Sequence, residues 1–143
     1  MAAVVRDLDL GLESVDYRGM DDPAQRVEKL LAVGRELQGP MVLVGSSMGG
    51  HVAAAAASHL HAAALFLLAP AFYMPGFEKY TPQNVTVPTA IVHGWHDEVV
   101  PVDNSIRWAR EHRATLHLLD SDHRLEDQIG VICGLLRNFL ISL

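Results

Sequence analysis

Short runs rich in Val, Ile and Leu alternate along the chain with longer stretches whose apolar residues recur every three or four positions. The short runs are Leu12–Tyr17, Met41–Gly45, Ala64–Ala69, Thr89–His93 and Thr115–Leu119. Each has the length of a strand, and they read as near-continuous apolar runs, as strands covered on both faces do. With helices between them, they predict an α/β domain: a mainly parallel sheet of about five strands with helices on both faces.

The helix signals agree. Asp22 before Pro23, with Gln25 three places on, predicts a capped helix start. Val27, Leu30, Leu31, Gly34 and Leu37 then share one face, and Gly39–Pro40 stops the helix. Leu125, Ile129, Ile132, Leu136, Phe139 and Leu143 form a last apolar stripe at helical spacing, with Cys133 beside it as a small packing residue. Met1–Leu10 reads as the end of an amphipathic helix closed by Gly11.

Composition narrows the class. The 143 residues suit a single domain, 1–143; half are hydrophobic and 20% charged. A net charge of −6 argues against a nucleic-acid surface. No apolar run approaches the length of a bilayer crossing, so no membrane association is expected. The lone Cys133 excludes an internal disulfide. Arg6, Asp7 and Asp9 interrupt the opening segment, which lacks the apolar core of a secretory signal. A cytoplasmic protein is expected.

The chemistry centres on Gly45-Ser46-Ser47-Met48-Gly49, which fits G-x-S-x-G. Alone the pattern is weak. Here a strand precedes it and an alanine-rich helix follows, the setting of a nucleophile elbow. The serine sits on a sharp, strained turn, and Gly45 and Gly49 leave room where the backbone closes on itself. The following helix favours negative charge at its start. Ser46 supports the turn.

A serine hydroxyl needs a base and a group to orient that base. The segment from Thr89 runs into a loop with Asp97 and Glu98, and the segment from Thr115 into a loop ending on His123. Both loops follow strand C-termini, where open parallel sheets bind ligands. The order Ser47, Asp97, His123 is Ser…Asp…His.

With Gly45-Ser-Ser-Met-Gly-Gly, His93-Gly-Trp-His-Asp-Glu-Val-Val-Pro and Asp122-His123 in this order, the chain resembles the α/β-hydrolases from Leu12 to its end. It is most similar to small lidless bacterial serine hydrolases and esterases. The resemblance implies Ser47 as nucleophile, Asp97 as triad acid, His123 as base, and the Met48 N–H as one oxyanion donor. It implies no cofactor and no metal. Glu98 is the competing acid. His59 and His61 lie two apart on a helix and point different ways, and His93 and His96 lack the partners of a metal site. His51, His112 and His117 read as surface or packing residues.

The segment between Ala69 and Thr89 is too short for a cap domain, so the site should be open. Tyr73, Met74, Phe77 and Tyr80 would form a shallow acyl wall. Trp95 is expected to pack under the acid loop, with substrate contact as the other role. Small esters or thioesters fit such a site.

One departure stands out. In the family, a strand and a loop that donates the second oxyanion N–H come before the segment matched by Leu12–Tyr17. The sequence begins after them, giving a truncated form of the fold. That raises the expectation of weak activity or of a homodimer through exposed sheet edges, and it leaves a non-catalytic interaction module as the alternative to a hydrolase.

Overall fold

A computed structural model describes all residues, 1–143. The elements are α1 (Ala2–Asp7), α2 (Pro23–Arg35), β1 (Val42–Ser46), α3 (Met48–Ala56), β2 (Ala64–Leu68), β3 (Thr89–Gly94), α4 (Val102–His112), β4 (Thr115–Leu119) and α5 (Ile129–Ser142). The four strands form one sheet in the order β1-β2-β3-β4. Every pair is parallel, with Val44 opposite Phe66, Phe66 opposite Ala90 and Val92 opposite His117.

Strand alternation sorts the core into two layers. Leu43, Leu65, Leu67 and Ile91 face the alanines of α3, Trp108 of α4, and Leu30 and Leu31 of α2. Phe66, Ala90 and Val92 face Val4 of α1 and Ile132 and Leu136 of α5. The alanine run of α3 buries Ala53, Ala54 and Ala56, and α2 brings Gly34 against Leu60, where a Cβ would meet the Leu60 side chain at 2.7 Å. Small residues thus set the close approach of α2 and α3. The layer of α1 and α5 stops short of β1, so Val44, on the same face as Phe66, is 43% exposed.

Four of the expected strands form within one residue of their sequence bounds. The fifth, Leu12–Tyr17, does not: it is irregular, and Leu12 is 62% exposed. A strand needs a neighbour for its backbone groups, and no strand pairs with this segment. It is tethered to α2 instead. Asp16 accepts from the Arg18 amide and guanidinium, Lys29 donates to the Asp16 carbonyl, and the Arg26 guanidinium lies over the Tyr17 ring.

Helix starts and stops differ in detail. Asp22 caps α2 as expected, accepting from the Ala24 amide at 3.0 Å. The helix ends at Arg35, ahead of Gly39, and leaves Leu37 exposed. Asp9, not Gly11, takes the left-handed conformation that closes α1. Leu125 lies outside α5, in a left-handed turn, but is buried, while Ile129 and Leu143 of the predicted stripe are exposed. No helix is long and apolar enough to cross a membrane.

Candidate active site

The turn between β1 and α3 holds Ser47 at φ 54°, ψ −120°. A non-glycine residue there carries about 1–3 kcal/mol of backbone strain. The turn is clamped to the end of β2: the Ser47 amide donates to the Leu68 carbonyl at 2.8 Å, and the Ala71 amide donates to the Ser47 carbonyl at 2.9 Å. Gly45 is obligatory, because a Cβ there would stand 2.2 Å from the Gly49 carbonyl oxygen. Gly50 similarly makes way for Pro70, 2.9 Å from a would-be Cβ. Gly49 itself has open space where a Cβ would be, so the close approach expected of the glycine pair falls on Gly45. Met48 opens α3, so its amide has no acceptor within the helix.

The chain end of β3 supplies the second member. Asp97 sits on a loop whose Trp95 and His96 amides donate to the carbonyls of Leu119, the last residue of β4, and Ser121 just past it. This strapping brings Asp97 beside the loop that carries His123. Asp97 Oδ1 accepts from the amides of Val99 (2.8 Å) and Val100 (2.7 Å). Its Oδ2 lies 2.7 Å from His123 Nδ1. Burial pushes the Asp97 carboxyl up, but the bonds from His123, Val100 and Val99 outweigh it, and the group rests below the usual carboxylate range.

The third member follows β4. Asp122 Oδ1 accepts from the amides of Arg124 and Leu125, which folds the loop back and aims the neighbouring ring inward. His123 Nε2 then lies 3.0 Å from Ser47 Oγ. The carboxylate can only accept, so Nδ1 carries the hydrogen and Nε2 presents its lone pair to the serine hydroxyl. Three side chains from three strand ends thus form one hydrogen-bonded line, from which a proton can leave Ser47 Oγ.

The other residues singled out from sequence fall elsewhere. Glu98 and Ser46 are exposed. His96 pairs with Asp120 at 2.7 Å on the surface. His59 and His61 are exposed, and His112 stacks on Trp108 at 3.8 Å. His51 is half-buried beside Phe72, and burial lowers its proton affinity. Nowhere do three His, Cys, Asp or Glu side chains converge as a metal site needs. Trp95 is 52% exposed and so does not pack under the acid loop as expected.

The predicted acyl wall is divided. Phe77 and Tyr80 are exposed, whereas Tyr73 is buried, with its hydroxyl 2.5 Å from Glu111 and the Arg107 guanidinium over its ring. Burial, then the bond to Glu111, raises the phenol's pKa. The cavities near this segment, about 290 and 430 Å³, are lined by Gln83–Thr86 among others and not by Ser47. They flank the residues that lead into β3 and β4, at the opposite end of the parallel sheet from the serine.

Two supporting residues went unrecognised. His93 stands wholly buried against Asp97, and Gly94 admits the His123 loop. His93-Gly94 opens the same motif that carries Asp97, so the pair is visible in the sequence, but its place against Asp97 and the His123 loop is not.

This geometry belongs with a family. Residues 19–129 match the alpha/beta hydrolase domain, and the chain is a member of that family. A protein of the alpha/beta hydrolase superfamily from Xanthomonas campestris pv. campestris is 33% identical, with a TM-score of 0.92 over 99% of this chain and 87% of its own. An alpha-beta serine hydrolase homologue from Coxiella burnetii is 25% identical, with a TM-score of 0.79 over 97% of this chain and 73% of its own. Mouse alpha/beta hydrolase domain-containing protein 10 shares the fold at 18% identity, with a TM-score of 0.77 over 99% of this chain and 82% of its own. No curated protein matches the sequence.

Proposed function

We infer that this chain is a serine hydrolase that cleaves small carboxylic esters or thioesters through Ser47, His123 and Asp97. The observation that carries the reading is the unbroken line Asp97 Oδ2–His123–Ser47 Oγ, at 2.7 and 3.0 Å, with the serine on a strained elbow.

Ser47 Oγ attacks the carbonyl carbon while its proton passes to His123 Nε2. Asp97 holds the ring by Nδ1–H and stabilises the imidazolium. Charge moves to the carbonyl oxygen, where the Met48 amide is the donor. His123 returns the proton to the leaving alcohol or thiol as the C–O or C–S bond breaks. Water, deprotonated by the same nitrogen, then cleaves the acyl-serine and restores Ser47. No step needs a cofactor or metal.

Trp95 and Tyr73 are the proposed substrate contacts, Trp95 by its exposed ring and Tyr73 as part of the loop beyond β2. Small substrates are favoured because neither of the two cavities described above reaches Ser47. The lone cysteine favours the reducing cytoplasm. The unpaired outer edge of β1 favours a homodimer.

A fluorophosphonate probe tests the reading. Labelling of the full chain that disappears in Ser47→Ala is the expected result. Absence of labelling sinks it in favour of a non-catalytic interaction module, and labelling that requires Ser46 overturns the elbow assignment.

A further inference from the structure

His93 is the penultimate residue of β3, just before Gly94, and is wholly buried, yet no step of hydrolysis uses it. A buried imidazole is costly unless both nitrogens find partners. Here both do. Nδ1 lies 2.7 Å from Ser105 Oγ. Nε2 lies 2.9 Å from the Val100 carbonyl oxygen and 3.0 Å from Asp97 Oδ2.

Those partners dictate the tautomer. A carbonyl and a carboxylate oxygen only accept, so Nε2 carries the hydrogen, and Nδ1 accepts from the Ser105 hydroxyl. His93 stands at ion-pair distance from Asp97, yet its surroundings favour the neutral ring. Burial lowers its proton affinity, and the Val100 carbonyl and Asp97 offset this only in part.

The result is a chain of bonds from His93 through the Val100 peptide to the acid, with His93 Nε2 also 3.0 Å from Asp97 Oδ2. The Val100 peptide is held from both sides: its carbonyl takes the His93 N–H, and its amide goes to Asp97 Oδ1. Oδ2 is left between two ring nitrogens, His93 Nε2 and His123 Nδ1. A carboxylate held this way cannot rotate about its Cβ–Cγ bond without breaking bonds to Val99 and Val100.

Resting on the Ser47–His123–Asp97 reading, we propose that His93 is a positioning residue, whose Nε2–H and Ser105-fixed tautomer hold the Asp97 carboxylate square to His123. The other role for a buried histidine is to fill the core. The two differ in what the hydrogen-bond donor does.

The test uses the full chain with His93→Phe, which keeps a ring and removes the donor, and His93→Gln, which returns an N–H. Three quantities are read: the fluorophosphonate labelling rate of Ser47, the far-downfield NMR proton resonance of His123 Nδ1–H, and the melting curve. His93→Phe should slow labelling on the order of 10–100-fold, as a misplacement of about an ångström does, and displace or abolish the resonance. His93→Gln should recover most of both. Unchanged labelling and resonance in His93→Phe overturn the proposal, as does a His93→Gln variant as impaired as His93→Phe. If His93→Phe does not fold, Ser105→Ala replaces it: a slower rate and a moved resonance support the proposal, and no change in either overturns it. The resonance separates the two levels of inference. A wild-type chain that fails to label but shows a resonance sensitive to His93 removes the hydrolase reading and leaves the positioning role standing.

Discussion

Gly94 lies so close to Ser121 that a Cβ on the glycine would stand 2.3 Å from the serine's carbonyl oxygen, and 2.6 Å from that of Asp122. The end of β3 and the loop carrying His123 therefore share one narrow gap. Both obstructing atoms are backbone, so no rotamer change relieves the clash. Gly94→Ala should cost about 1–3 kcal/mol, as overpacking does, and should slow Ser47 labelling by displacing His123. Urea denaturation and probe labelling measure the two effects. An alanine variant with normal stability would show that the loop is free to retreat.

Ser47 carries strain that a glycine would not. Relief of about 1–3 kcal/mol less the roughly 0.5–1 kcal/mol entropy cost of glycine predicts that Ser47→Gly is about 1 kcal/mol more stable than Ser47→Ala. Both variants lose the hydroxyl, so the comparison isolates the backbone. Thermal melts should separate them by a few degrees, and equal melting temperatures would mean that the turn is unstrained.

Two histidines face the site region but answer to different neighbours. His123→Ala should reduce ester hydrolysis on the order of 10⁴-fold, because triad members act as a unit. His96 is paired with Asp120 where both side chains are largely exposed, 69% and 87%; such pairs contribute about 0–1 kcal/mol. His96→Ala should therefore cost little in activity or stability. Equal losses would shift the base assignment to His96.

The buried imidazoles set a pH dependence of stability. His51 and His93 both have folded-state pKa values lowered, first by burial. Below about pH 6.5 the unfolded chain protonates these histidines while the folded one resists. The unfolded state then binds more protons, so stability falls as pH falls, by at most about 1.4 kcal/mol per pH unit for each histidine. Asp97 is lowered too, despite the burial that raises it, by its bonds to His123, Val100 and Val99. Its contribution is present above about pH 4 and is lost as the pH drops further. Denaturant melts between pH 8 and 5 test the histidine limb, and His93→Gln should flatten it. A curve that rises on acidification would contradict the burial of both rings.

The outer edge of β1 offers unpaired backbone groups, with Val44 exposed beside them. Pairing with a second copy would satisfy them. Sedimentation velocity should find a dimer that Val44→Lys weakens, and a monomer at all concentrations would exclude edge pairing.

Legibility of the fold followed from how local each signal was. The runs of β2 and β3 are covered on both faces and those of β1 and β4 in part, and all four are apolar enough for length and composition to place them. Leu12–Tyr17 is half polar, with Glu13, Ser14 and Asp16 between its apolar residues, and whether it becomes a strand depends on a neighbour, which no local pattern encodes. That Ser47, Asp97 and His123 meet was legible because each follows a strand end in a distinctive local motif. The burial of Tyr73 and the exposure of Trp95 were not, because they depend on contacts with Glu111, Arg107 and the end of β4. His93 was visible as a residue, but its function needs Val100 and Ser105, distant by seven and twelve positions.

The serine and its histidine are 76 residues apart in sequence and meet only because β1, β2, β3 and β4 are zipped in order. The nucleophilicity proposed for Ser47 would therefore be a property of the finished sheet, not of its elbow. During refolding, helix signals can return while β3 and β4 are still undocked, and the serine will stay inert until the last strand closes. A labelling pulse at successive refolding times would consequently read out the completion of the sheet, a late event that spectroscopy of the helices cannot see.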